Sequence, residues 1–147
     1  MNFTFKPLTM DDVTAISLWR YDGFMKSIYM QPYIDNYAKT NKIIGPEQCD
    51  GYAVFVENTL FGLFEYYLKG PIIELGLAIH PDYVGKGFSN DFIDAGINFA
   101  VWRYDYDQDY VQLTVEKDNI AAFKAYKKNG FVEVEQKDHE IVMYKYL

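Results

Sequence analysis

The run Ile72–Ile79, IIELGLAI, is eight residues long and holds one acid and one glycine among apolar side chains. A nearly continuous apolar run of that length reads as a strand buried on both faces, near the centre of a sheet. It stops at His80-Pro81, and Gly85 and Gly87 follow with Lys86 between them. From Gly87 the apolar residues recur at spacings of three and four, which predicts a helix whose inner face is Phe88, Phe92, Ala95, Phe99 and Trp102. YVQLTV, from Tyr110, is the next strand. Strand, helix and strand in that order form a right-handed crossover that leaves the two strands parallel. Such units bind ligands beyond the carboxyl ends of their strands, where VGKGFS, Val84–Ser89, falls.

The flanking sequence reads as shorter elements. NFTFKPL is a strand ending at Pro7, and Thr9 is the N-cap of a helix with Asp11 and Asp12 at its positive end. Val13, Ile16 and either Trp19 or Arg20 share that helix's face. Between Tyr21 and Asp50 the pattern gives one or two short helical turns, interrupted at Pro32. YAVFVENTLFGLFEYYL is a hairpin turning near Glu57-Asn58, and Gly70-Pro71 punctuates the chain before Ile72. DNIAAFKAYKKNGF starts a helix at Asp118 or Asn119 and stops it with Lys127, Lys128 and a left-handed Gly130. FVEVEQ and EIVMYKYL close the chain as a hairpin around Lys137-Asp138. The expectation is one α/β domain over residues 1–147, with about seven strands in the order β-α-α-β-β-β-α-β-α-β-β.

Composition narrows the function. The net charge of −7 disfavours nucleic acid, whose phosphates call for clustered Lys and Arg, and favours cationic or neutral partners. One cysteine, Cys49, excludes an internal disulfide and a cysteine-based zinc site, and two distant histidines, His80 and His139, argue against a His-based metal site. No stretch reaches eighteen apolar residues and MNFTFKPLTMDD lacks a signal peptide's pattern, so the expectation is a cytoplasmic protein with no membrane partner.

Glycines ahead of a helix expose backbone N–H groups at the positive end of its dipole, a site for an anion. Neither familiar nucleotide motif fits: the Walker spacing is missing, and Asn90 stands where the dinucleotide fingerprint has its third glycine. Taken with LTVEKDNIAAFKAYKKNGF (Leu113–Phe131), however, LAIHPDYVGKGFSNDFI resembles the GNAT superfamily of acetyl-CoA-dependent N-acetyltransferases. That family's first motif runs apolar-x-Pro, a spacer, then Gln/Arg-Gly-x-Gly-x-Gly/Ala; its later motif is Asn, a helix carrying a Tyr, then Gly-Phe. Two positions depart from it, Val84 for Gln or Arg and Ser89 for Gly or Ala.

The resemblance implies a mixed GNAT-like sheet, acetyl-CoA as cosubstrate with no metal, and direct transfer to a primary amine. It leaves room for a homodimer. The backbone N–H groups of Gly85, Lys86, Gly87, Phe88 and Ser89 would hold the pyrophosphate, with Val84 also at the cofactor. Leu77, Ala78 and Ile79 would pair with the pantetheine arm, the Ile79 amide facing the thioester oxygen. Asn119 and Phe123 would contact the cofactor, and Tyr126 would protonate the leaving thiolate. A non-catalytic acyl-CoA-binding or sensor domain of the same fold is the alternative.

The remaining candidates come from the residues themselves. Glu74 is an acid in an apolar strand, an expensive place unless it is paired, solvated or used, and is either the general base or a structural acid. Gly76 marks a bulge or close backbone approach, or simply relieves crowding. His80 reads as a surface residue at the loop entrance, and Cys49 lacks a nearby histidine to activate it. The acceptor is expected against the segment from Trp19 to Tyr37, whose Tyr21, Phe24, Met25, Tyr29, Met30 and Tyr33 are either core or pocket, and against the last hairpin. It is a small molecule, a peptide N-terminus or a lysine.

Overall fold

The computed structural model describes residues 1–22 and 27–147. Its elements are β1 (Phe3–Pro7), α1 (Met10–Ser17), α2 (Gln31–Thr40), β2 (Asp50–Val56), β3 (Thr59–Lys69), β4 (Ile72–Ile79), α3 (Ser89–Arg103), β5 (Tyr110–Glu116), α4 (Ile120–Asn129), β6 (Val132–Gln136) and β7 (Glu140–Tyr146). The strands form a seven-stranded sheet in the order β1-β2-β3-β4-β5-β7-β6. β4 and β5 are parallel, in register at Glu74↔Gln112, while β1 with β2, β2 with β3, and β7 with both β5 and β6 are antiparallel. The mixed sheet and the parallel crossover are those expected from the sequence. The chain divides into two compact units.

The first unit comprises Met1–Tyr67 and Gly76–Lys86. Thr9 caps α1 reciprocally: its Oγ1 accepts from the Asp12 N–H at 3.1 Å, and Asp12 Oδ2 accepts from the Thr9 N–H at 3.0 Å. The helix buries Val13 and Ile16 against Leu8, Trp19, Met30, Tyr33, Ala53 and Leu63. Each such aliphatic side chain stabilises the fold by roughly 1.5–3 kcal/mol. Trp19 is the buried member of the Trp19/Arg20 pair, and Arg20 is exposed. Pro32 corrects an expectation. It lies in the first turn of α2, where its missing N–H is no loss, so it opens a ten-residue helix instead of interrupting one. The β2–β3 hairpin turns at Glu57-Asn58 with Glu57 at φ +56°.

The second unit comprises Leu68–Leu75 and Gly87–Leu147. Here the face of α3 differs from the expectation. Phe92, Ile93, Gly96, Ile97 and Ala100 are buried, whereas Trp102 is 76% exposed and meets Phe99 on the outer side at 5.7 Å between centroids. Of the expected face Phe92 is fully buried and Phe88, Ala95 and Phe99 are half-buried, so the inner face is rotated from the aromatic stripe toward Ile93, Gly96, Ile97 and Ala100. Tyr106 ties the parallel strands together, donating to the Tyr110 carbonyl at 2.5 Å and accepting from the Ile73 N–H at 3.2 Å. α4 starts at Asn119, whose Oδ1 accepts from the Ala122 N–H at 3.3 Å, and ends at Gly130 with φ +113°. Buried Asn129 docks it: the amide donates to Asn90 Oδ1 at 2.7 Å and Asp94 Oδ1 at 3.0 Å on α3, and accepts from Lys145 on β7 at 2.7 Å. Among the described residues, no helix is long and apolar enough to cross a membrane, and no cluster of three metal-ligating side chains occurs.

Candidate functional site

Leu77, Ala78 and Ile79 end β4 half-buried, and the Tyr21 hydroxyl donates to the Ile79 carbonyl at 2.6 Å. His80 then donates its backbone N–H to the Phe61 carbonyl at 2.8 Å, and its Nδ1 accepts from the Asp82 N–H at 3.0 Å. Its ring lies edge-on to Trp19 at 5.0 Å. His80 is thus the cap of the short 3₁₀ turn Pro81–Tyr83.

The glycine loop follows. Gly85 and Gly87 have φ +74° and +85°, and a Cβ at either would meet no atom within 4 Å. Backbone conformation, not crowding, therefore demands glycine at both positions. Val84, Gly85, Lys86 and Gly87 are exposed, while Phe88 and Ser89 are half-buried at the start of α3. Phe88 occupies the N-cap position and has no side-chain oxygen to satisfy the first-turn N–H groups. Glycines held in left-handed conformation ahead of a helix start are the backbone arrangement from which anion sites are built.

α4 carries three more of the expected residues. Asn119 caps its own helix through Oδ1, and half-buried Phe123 lies under Lys127 Nζ, 5.7 Å from the ring centroid. Tyr126 is half-buried beside Phe131, with 5.9 Å between ring centroids, and burial pushes its phenol up to about 12. It therefore holds its proton throughout the neutral range. Glu74 is half-buried, and its Oε1 accepts from Gln112 Nε2 at 3.0 Å.

A second carboxyl group was missed. Glu65 is an acid in the apolar run of β3, the same signal that drew attention to Glu74. Its Oε2 accepts from the Tyr33 hydroxyl at 2.5 Å and the Cys49 thiol at 3.8 Å, and its Oε1 from the Tyr67 hydroxyl at 3.4 Å. Burial raises its pKa, and the hydrogen bonds from Tyr33, Tyr67 and Cys49 only partly oppose that. Burial and then the neighbouring Glu65 push the Cys49 thiol up to about 12, which leaves it a poor nucleophile. A Cβ at Gly76 would sit 3.3 Å from both Glu65 Oε1 and Tyr67 Cε1, so the crowding reading of this glycine holds.

Of the Tyr- and Met-rich segment, Met30 and Tyr33 are core, Tyr21 is half-buried on Ile79, and Tyr29 is 72% exposed. Phe24 and Met25 lie outside the described residues.

A mixed seven-stranded sheet with parallel β4 and β5 joined through α3, and a left-handed glycine loop between strand and helix, places the chain in the α/β class. The chain belongs to the acetyltransferase (GNAT) domain family, which it matches over residues 2–132. No curated protein matches the sequence. Solved structures do resemble it. Campylobacter jejuni N-acetyltransferase PseH, in complex with acetyl coenzyme A, superposes with TM-score 0.74 at 18% identity, covering 99% of each chain. A chimera of the Vibrio cholerae spermidine N-acetyltransferase SpeG and hSSAT gives 0.72 at 19% identity, over 98% of this chain and 95% of that one. At these identities the likeness is one of fold.

Proposed function

We propose that this protein is an acetyl-CoA:amine N-acetyltransferase that transfers directly to a primary amine. The observation that carries the reading is the pair of left-handed glycines, Gly85 and Gly87, opening onto α3 in a chain of the GNAT family. Acetyl-CoA supplies an acetyl group activated as a thioester. The N–H groups from Gly85 to Ser89 hold its pyrophosphate, and since they are backbone groups the side-chain departures at Val84 and Ser89 leave them in place. The edge of Leu77, Ala78 and Ile79 aligns the pantetheine arm, and the Ile79 N–H stabilises negative charge on the carbonyl oxygen. Asn119 and Phe123 contact the cofactor from α4. Tyr126, protonated at neutral pH, gives its proton to the departing thiolate. A carboxylate accepts the proton of the amine; Glu74 is one candidate, with Gln112 holding it.

The acceptor is a small-molecule amine, a peptide N-terminus or a lysine. The net charge of −7 suits a cationic one, and the spermidine acetyltransferase among the structural neighbours makes polyamines the first to try. Thiol release from acetyl-CoA across a panel of amines, beside calorimetric acetyl-CoA binding, tests the reading. Release that depends on an amine is the expected result. Binding without release on any amine would leave an acyl-CoA sensor in its place.

A further inference from the structure

The acetyl-transfer reading, on which this inference rests, requires a group that meets the incoming ammonium and takes its proton. We propose that Glu65 Oε1 is that group, with Tyr33, Cys49 and Tyr67 holding the carboxylate in place.

The two oxygens of Glu65 are used unequally. Oε2 accepts from both Tyr33 and Cys49, which fills its in-plane lone pairs. Oε1 has the Tyr67 hydroxyl at 3.4 Å, a long bond that leaves capacity for a stronger donor. Oε1 is also the oxygen turned to Gly76, where a Cβ would stand 3.3 Å away. Any other residue there would press on the carboxylate from β4, just ahead of the Leu77–Ile79 edge assigned to the thioester. Glu65 is half-buried as a residue, and glycine at position 76 leaves the space beside Oε1 clear of a side chain.

The rest of the cluster is built to hold Oε2 still. The Tyr33 side chain is fully buried, and a Cβ on Gly45 or Gly51 would come within 2.6 Å or 2.5 Å of its hydroxyl. Two glycines on different segments therefore make the space for one phenol. That phenol, from α2, faces the carboxylate together with Cys49, from the residues before β2, and Tyr67, further along β3. All three are neutral donors at neutral pH, so none supplies the positive charge that a buried carboxylate attracts. Burial raises the proton affinity of Glu65, in the direction of a general base poised nearer neutrality.

The step balances. The ammonium binds Glu65 Oε1, one N–H bond breaks and an O–H bond forms. The freed nitrogen lone pair forms the C–N bond to the acetyl carbon, the C–S bond breaks, and the thiolate takes a proton from Tyr126. The second amine proton passes to water, Tyr126 recovers its proton from water, and Glu65 gives its own up, so each turnover releases one proton net.

The test measures thiol release from acetyl-CoA with spermidine, putrescine and free lysine, for wild type, Glu65→Gln, Glu74→Gln and Gly76→Ala. Glu65→Gln is expected to lower kcat/KM for the amine at least about 100-fold. It should also abolish the acidic limb of the pH–rate profile and leave acetyl-CoA affinity within about twofold by calorimetry, while Glu74→Gln keeps the limb. Gly76→Ala, which keeps the carboxylate but sets a methyl against Oε1, is expected to raise the amine KM about tenfold or more; it decides the matter if Glu65→Gln does not fold. Wild-type turnover with an unchanged limb in Glu65→Gln, or an unchanged amine KM in Gly76→Ala, overturns the assignment of Glu65 alone. No wild-type release on any amine overturns the acetyl-transfer reading itself, and this assignment with it.

Discussion

The Tyr33 hydroxyl donates to Glu65 Oε2 across 2.5 Å, joining α2 to β3 by a bond between residues 32 positions apart. A hydrogen bond to a charged acceptor contributes more than one between neutral groups, and removing the donor leaves the carboxylate with only its weaker partners. Tyr33→Phe keeps the ring in its packed place and removes only the oxygen. It should cost roughly 1–3 kcal/mol of unfolding free energy in urea titrations. A loss below about 0.5 kcal/mol would show that the thiol and Tyr67 suffice to satisfy Glu65.

Glu65 and Asp94 should leave opposite marks on the dependence of stability on pH. The folded pKa of Glu65 is raised by burial, so folding takes up a proton as pH moves above the ordinary carboxyl value. Its stabilising share is complete below that value and is lost as pH rises through the folded pKa. For Asp94, burial disfavours ionisation, but hydrogen bonds from Asn129 and Lys145 and the Lys145 charge outweigh it and lower the pKa. That contribution is complete above the ordinary value and is lost as pH falls through the folded one. Urea titrations at stepped pH should show Glu65→Gln removing a decline on the upper side and Asp94→Asn removing a decline on the lower. With the Asp94 side chain 47% exposed, its effect should stay near 0.5–1 kcal/mol.

Gly87→Val places a β-branched side chain at φ +85°, a conformation that costs any L-residue roughly 1–2 kcal/mol. The strain is relieved by moving the loop, which displaces the N–H groups assigned to the pyrophosphate. Acetyl-CoA affinity should fall about tenfold or more in calorimetry. Unchanged affinity in a folded variant would remove the pyrophosphate from this loop.

Tyr126→Phe should lower kcat by about 10²–10⁴-fold and leave acetyl-CoA affinity nearly unchanged. The ring remains against Phe131, so the melting temperature should hardly move. A fall in kcat under about threefold with chemistry rate-limiting would assign the thiolate's proton to water instead.

Much of the fold could be read from local pattern, because its signals lie within a few residues of what they specify. Thr9 and Asp12 cap α1, Asn119 and Gly130 bound α4, and Gly85 and Gly87 announce a left-handed loop, each by chemistry a single segment carries. The aromatic stripe of α3 marks its inner face only in part: Phe92 is buried, but Trp102 is exposed while Gly96 and Ala100 are buried, and their small size carries no hydrophobic signal in the sequence. Pro32 is ambiguous in the sequence because a proline breaks a helix that has already begun and opens one that has not, and here it sits in the first turn of α2. Glu65 escaped for a different reason. Its partners Tyr33 and Cys49 are 32 and 16 residues away, and only the folded chain brings them to one carboxyl group.

Asn129 is followed by Gly130, the sequence in which an asparagine amide most readily cyclises onto the next backbone nitrogen and hydrolyses to aspartate. In the folded chain that amide is held at both ends, donating to Asn90 and Asp94 and accepting from Lys145. Folding thus doubles as preservation against deamidation. A molecule that opened long enough for the ring to close would return with a carboxylate facing Asp94, one donor pair short and a negative charge over. Each opening of this corner therefore risks a permanent chemical scar, and the accumulation of aspartate and isoaspartate at position 129 would record how often the α3–α4–β7 junction has come apart.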